Sequence, residues 1–294
     1  YSRGVVDWGR GQWGAALTAL DLAEASYRND CVGAGWEILA AQLFSLGSLS
    51  YLGRFDELRR RLTRIADEAR ARDDRLTLQW VFGWQAIGDI LHGDLTAAKQ
   101  GIANARARLP EDRYTLPHLF VLCASTCASL YAGDGRSALA RLAREWPSIK
   151  RSQLLRLQVY RVELYRLRIV SALCAARSDS EARRSLLAGV ERDLARIEDE
   201  RVPWADAIAL ALRGELRLAH GDRDAALTCW ELADEHLSAL DMAGYAAAAR
   251  RRAGSLIGGA EGEQRVRAAD DWFLLRGVVA PDRATLILIG GNDS

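Results

Sequence analysis

The residues with the most chemical capacity are two cysteines, four histidines, a pair of tryptophans and a run of arginines. Cys123 and Cys127 lie one helical turn apart with His118 nearby, which is the only spacing in the chain that approaches a metal site. Structural zinc takes four closely grouped ligands. Here the fourth would have to come from another helix, so the pair reads as small buried residues and no metal is expected. Cys229 and His236 also share one helix face and read the same way. His92 and His220 each precede a glycine, where a helix end accommodates an imidazole and its interaction with the helix dipole. Gly9-Arg10-Gly11-Gln12-Trp13-Gly14 matches a glycine-rich phosphate loop. Such a loop must follow a strand and be answered by an acidic residue after a second strand; neither is present, and no nucleotide or other cofactor is expected. No phosphate-loop lysine, zinc-protease helix or calcium loop occurs, and the acids fall where helix surfaces and caps want them. No catalytic residue is assigned, and this chain is not expected to be an enzyme.

Binding residues are easier to nominate. Trp80 and Trp84 stand one turn apart on a helical stretch and belong either to the core or to an exposed groove, where aromatics serve as anchors for protein partners. Trp13 and Trp230 read as core. Arg151, Arg156, Arg161, Arg166 and Arg168 form the best charged candidate surface, or else a solvated helix face. The candidate partner-binding set is therefore Trp80, Trp84, Arg156, Arg161 and Arg166.

The whole chain frames these candidates. With 49% apolar and 27% charged residues, it has the composition of a folded protein. The 40 basic and 39 acidic groups nearly cancel; a nucleic-acid binder needs a basic excess to displace counterions at phosphates, so nucleic acid is excluded as a partner. Only Lys99 and Lys150 are lysines, and the arginines alternate with acids along helices, which reads as coding bias. Five scattered cysteines suit reduced, buried positions. No run approaches the length of a membrane span and no charged-then-apolar leader opens the chain, so no membrane is expected as a partner and a cytoplasmic location is. The start at Tyr1, inside what proves to be a repeat, reads as a fragment of a longer protein.

The elements that must position the candidates come from a period. Gly11, Gly53, Gly93, Gly133 and Gly221 mark short turns at steps of about 40 to 44 residues, with one turn inferred at Arg177-Ser178-Asp179. Alanine recurs five positions after the turn at Ala16, Ala98, Ala138, Ala226 and the inferred Ala182. A bulky residue then follows at Leu20, Ile102, Leu142 and Trp230, and a small one at Ala23, Ala105 and Ala233. These positions stack along one helix face, where small residues let neighbouring backbones approach. The glycines end one helix in a left-handed conformation and Asp94 or Asp222 caps the next. The expectation is an all-α fold: a right-handed α-solenoid of antiparallel helix pairs, about six repeats over residues 1–258 with the first truncated, then a capping helix and tail over 259–294.

The turn glycine and second-helix alanines resemble the tetratricopeptide repeat in a long form. A second resemblance lies in the tail, where Met242, Tyr245, Arg250, Arg251, Arg252, Gly254, Gly258-Gly259, Trp272, Gly277, Pro281 and Arg283 are similar to the C-terminal ends of large bacterial serine/threonine protein kinases. Those proteins carry a kinase domain, a signal-transduction ATPase core of the STAND type and tetratricopeptide repeats. Phe273, Ala280 and the Ile-Leu-Ile ending depart from that pattern. The resemblance implies a sensor or scaffold region that binds a protein or peptide, or the N-terminal domains of its own parent chain, and regulates a linked kinase or ATPase. The competing expectation is a solenoid that encloses a small molecule, and a closed, aromatic-lined cavity would mark it. Trp272, Phe273 and Leu275 are expected to cover the last repeat, since an open solenoid needs a terminal cap.

Overall fold

The computed structural model describes residues 1–291. Among them every regular element is helical and no strand occurs. The helices are α1 (Ser2–Gly9), α2 (Trp13–Asp30), α3 (Gly35–Leu52), α4 (Phe55–Ala71), α5 (Arg75–Leu91), α6 (Leu95–Arg106), α7 (Leu116–Tyr131) and α8 (Gly135–Arg151). A 3-10 turn at Leu154–Arg156 leads to α9 (Gln158–Ser178), α10 (Arg183–Glu198), α11 (Pro203–Ala219), α12 (Arg223–Ala239), α13 (Ala243–Ile257), α14 (Gly259–Leu274) and α15 (Pro281–Ile289). Consecutive helices pack on one another from α1 to α14, giving an all-α solenoid of helix pairs. The segment 259–274 continues the pairing, since α14 lies along α13 as α12 lies along α11.

The turns form for the reason their sequence gives. Gly11, Gly53, Gly93, Gly133 and Gly221 all have φ between 70° and 86°, the left-handed region that costs a side chain strain. The following aspartates cap the next helix: Ala97 N–H donates to Asp94 Oδ1 at 2.8 Å, Ser137 N–H to Asp134 Oδ1 at 2.9 Å and Ala225 N–H to Asp222 Oδ1 at 3.2 Å. Ala16, Ala98, Ala138 and Ala226 are fully buried. Ala182 is not their equivalent. With no glycine to reverse the chain, the α9–α10 turn runs longer and Ala182 becomes the half-buried N-cap of α10. The buried face of α10 is then carried by Leu187, Val190, Leu194 and Ile197. Ile102 is likewise only partly buried.

The array does not stay open. The turn between α1 and α2 meets α11, where an added Cβ at Gly11 would run into the Trp204 ring. At the next turn a Cβ on Gly53 would stand 2.6 Å from Gly244 N and 2.7 Å from the Trp272 ring. Trp13 stacks on Tyr51 at 4.1 Å and meets Trp204 of α11 edge-on at 5.5 Å, Tyr51 stacks on Tyr245 at 6.3 Å, and Phe55 on Phe273 at 6.5 Å, so α2 meets α11 while α3 and α4 meet α13 and α14. The chain then runs along the row of turns. Val279 N–H donates to the Leu91 carbonyl at 3.2 Å, Val279 fills the space a Cβ would need at Gly93, and Arg283 reaches the turn at Gly133. Phe273 is buried and Trp272 packs against the core as expected, but here they seal the two ends of the solenoid to each other; Leu275 projects into solvent. From this seam α15 turns inward and packs on α7, α9, α11 and α13. Its residues Ala284 to Ile289 are all buried, the pattern of a helix surrounded by protein. Cys123, Cys127 and Cys174 are free and buried as expected, whereas Cys31, in the connection after α2, is exposed and Cys229, on α12, is half-buried. No helix among the described residues is long and apolar enough to cross a membrane.

Candidate functional site: an aromatic chamber inside the ring

Closing the solenoid turns its inner face into a chamber of about 380 Å³. The odd-numbered helices α1, α3, α5, α7 and α9 supply most of the wall, with Tyr245 of α13 and with Ile287 and Leu288 of α15 at one end. The wall carries a belt of rings. Trp36 meets Trp80 edge-on at 5.8 Å, Trp80 meets Phe120 at 6.3 Å, Phe120 meets Tyr160 at 6.2 Å, Tyr160 meets Trp8 at 6.0 Å, and Trp8 meets Phe44 at 4.9 Å. Because Trp36 and Phe44 both belong to α3, the belt returns to the helix on which it began. Trp84 adds a further ring against Phe120 at 5.6 Å. Edge-on contacts of this kind are a favoured aromatic geometry.

One end of the chamber is polar. Arg166 on α9 is only 3% exposed. Its Nε donates to Glu163 Oε2 at 2.8 Å and its Nη2 to Glu163 Oε1 at 2.6 Å. Its Nη1 donates to the carbonyls of Ile287 at 2.5 Å and Leu288 at 2.9 Å. Those carbonyls belong to the last turn of α15, where a helix has no internal partner for them. A charge this deeply buried must be paired and hydrogen-bonded to persist, and the two-pronged contact with Glu163 does both while fixing the seat of α15. The neighbouring titratable groups stay neutral. Burial pushes the Cys127 thiol up to about 12 and the Cys123 thiol well above its ordinary value. Burial likewise raises Tyr51, Tyr160 and Tyr245. A reactive thiolate needs the opposite, an electropositive and accessible setting, so the cysteines serve as wall.

Trp80 and Trp84, nominated from the sequence, both line the chamber. The arginines do not gather. Steps of five residues advance a helix by about 500°, which scatters side chains around the axis instead of aligning them. Arg166 points inward, while Arg161 pairs with Glu200 and donates to the Leu155 carbonyl at 2.5 Å. Arg168 pairs with Asp193 at 3.2 Å and lies 4.4 Å over the Trp146 ring. Arg156 ends the 3-10 turn, exposed. No common arginine surface exists, and the expectation of one is corrected. Sequence reasoning missed the belt, yet part of its trace was there: Trp36, Trp80, Phe120 and Tyr160 recur at the repeat period near the start of α3, α5, α7 and α9. Among the described residues no group of three His, Cys, Asp or Glu side chains is arranged to hold a metal ion.

Family models, curated proteins and solved structures yield no match to this chain. The functional reading rests on the chamber.

Proposed function

We propose that this region is a small-ligand-sensing regulatory repeat domain whose ligand occupies the aromatic chamber. One observation carries the reading: the joined ring of helices encloses on most sides a concave, apolar, aromatic-walled space with a few placed polar groups and the exposed Tyr1 and Trp36 in its wall, within the size range of small-molecule sites. Sensing follows from the wall itself. Ile287 and Leu288 of α15 belong to it, so a ligand that fits one seating of α15 better than another shifts that helix by its difference in affinity. The similarity of the tail to bacterial kinases with an ATPase core supplies a setting, in which the seating of α15 is reported to a linked kinase or ATPase. A protein or peptide lying along the inner face would need α15 to leave first, since that helix already occupies the face.

The test is a titration with N-phenylnaphthylamine, an uncharged probe that fluoresces in apolar surroundings. The intact chain is expected to bind it saturably at one site. An Ala40→Phe variant, shown folded by circular dichroism, fills the chamber from α3 and is expected to lose at least tenfold in affinity. Equal binding by the filled variant, or no saturable binding by either, sinks the reading.

A further inference from the structure

What the chamber takes can be narrowed from its polar end, on the reading that it is a ligand site. The charged pair there, Glu163 with Arg166, is internally neutralised, and each nitrogen of Arg166 already donates to Glu163 or to an α15 carbonyl. A ligand carboxylate or phosphate would lose its hydration beside Glu163 and gain no free cation. A ligand ammonium would meet the like charge of Arg166 beside the carboxylate it sought. Glu163 still has room for a neutral donor. Its side chain is 25% exposed and lines the chamber. Its two oxygens receive one Arg166 donor each, while an ionised carboxylate has about four acceptor positions.

Two phenols stand at the same end. Tyr51 of α3 and Tyr245 of α13 line the chamber with Glu163, and the Arg166 guanidinium lies 6.0 Å over the Tyr245 ring. They are 8% and 4% exposed. Burial raises both phenols above their ordinary pKa, and the charges that act on them most strongly are Glu163 on Tyr51 and Arg166 on Tyr245. Each therefore keeps its proton and offers an O–H donor. Neither hydroxyl has a hydrogen-bond partner among the described residues, and neither oxygen is sealed off, whereas the indole nitrogens of Trp8 and Trp84 are shut inside the wall. A buried hydroxyl without a partner costs stability that a ligand can restore. Farther along, Leu43, Trp80, Ile87 and Leu119 line the space, which suits an apolar body and offers no second charge.

We infer that the chamber takes an uncharged alcohol or phenol, whose apolar body lies along the aromatic wall and whose hydroxyl donates to Glu163 and accepts from Tyr51 or Tyr245. A hydroxyl is the one small neutral group that meets a carboxylate and a phenol with a single oxygen, and its place beside Glu163 fixes which way round the ligand lies.

Five ligands with one ring system separate the possibilities: naphthalene, a naphthol, a cyanonaphthalene that accepts but cannot donate, naphthoate and naphthylmethylammonium, each titrated calorimetrically into the intact chain at neutral pH. The naphthol is expected to bind roughly tenfold tighter than naphthalene, the yield of a hydrogen bond to a charged acceptor, and tighter than the other three. A Tyr51→Phe, Tyr245→Phe double variant keeps both rings and removes only hydroxyls that have no partner in the fold. It is expected to bind the naphthol about fivefold more weakly, the yield of one neutral hydrogen bond, with naphthalene binding unchanged. Tightest binding by the ammonium ligand, held by ring faces, by naphthoate or by the cyanonaphthalene overturns the ligand class but leaves the chamber as a site. So does equal binding of naphthalene and the naphthol, or a naphthol affinity that the double variant does not change. If none of the five binds, the chamber is no ligand site and both readings fall together.

Discussion

At the start of α7 the His118 ring takes the Thr115 N–H on Nδ1 at 3.1 Å, and its Nε2 lies 3.0 Å from the Pro110 carbonyl. Only the neutral ring with its proton on Nε2 meets both partners. Burial holds the His118 pKa below its ordinary value, with the Pro110 carbonyl pulling weakly the other way. On unfolding, the imidazole regains its ordinary affinity for a proton, so below about pH 6.5 the unfolded chain binds more protons than the folded one and stability falls as the pH drops. The midpoint of thermal unfolding is expected to decline from about pH 7 toward about pH 5. A His118→Gln variant should decline less steeply over that window; an unchanged slope would mean that other groups carry it. At this scale the sequence was legible wherever one residue type does one job, as with the capping aspartates and the turn glycines. It was not legible for Arg166, because the partners that draw a cation inward, Glu163 and the α15 carbonyls, include groups contributed by a distant helix.

Among the elements, the turns and α15 divide what periodicity can and cannot reveal. A repeat of glycine, aspartate and small residues is a local requirement, so six turns could be placed from spacing alone. The path of α15 depends instead on which distant surfaces meet. Its apolar run Ala284 to Ile289 is equally compatible with a terminal cap and with an insertion into the ring. The difference can be measured at two glycines with similar backbones. Gly221 has φ of 86° and open space where a Cβ would be; Gly53 has φ of 70° and would press a Cβ against Gly244 and Trp272. Gly221→Ala is expected to cost about 1 kcal/mol from left-handed strain. Gly53→Ala is expected to cost about 1–3 kcal/mol more, because the seam cannot make room without shifting backbone. Denaturant midpoints at unchanged slope would read this difference. Equal costs would mean that the seam gives way freely.

For the molecule as a whole, closure changes how the repeats depend on one another. In an open solenoid stability is a sum of nearest-neighbour terms and the ends fray first. Here Tyr51 with Tyr245 and Phe55 with Phe273 join the ends, and the amides of α3 and α13 are expected to exchange with solvent together, at one shared opening free energy. Phe55→Ala, a loss of about 3–5 kcal/mol in packing, should lower protection in α13 and α14 as well as in α4. Graded protection falling away from each end would instead describe an open array. The seam has one more consequence, which concerns the order in which the chain is made. Translation delivers domains from the N-terminus at about 5–20 residues per second, so Trp8, Phe44, Trp80 and Phe120 leave the ribosome well before Tyr245, Ile287 and Leu288 exist to cover them. During that interval the nascent chain is expected to present an unclosed aromatic surface, the kind of exposed apolar face that makes a folding intermediate prone to aggregate.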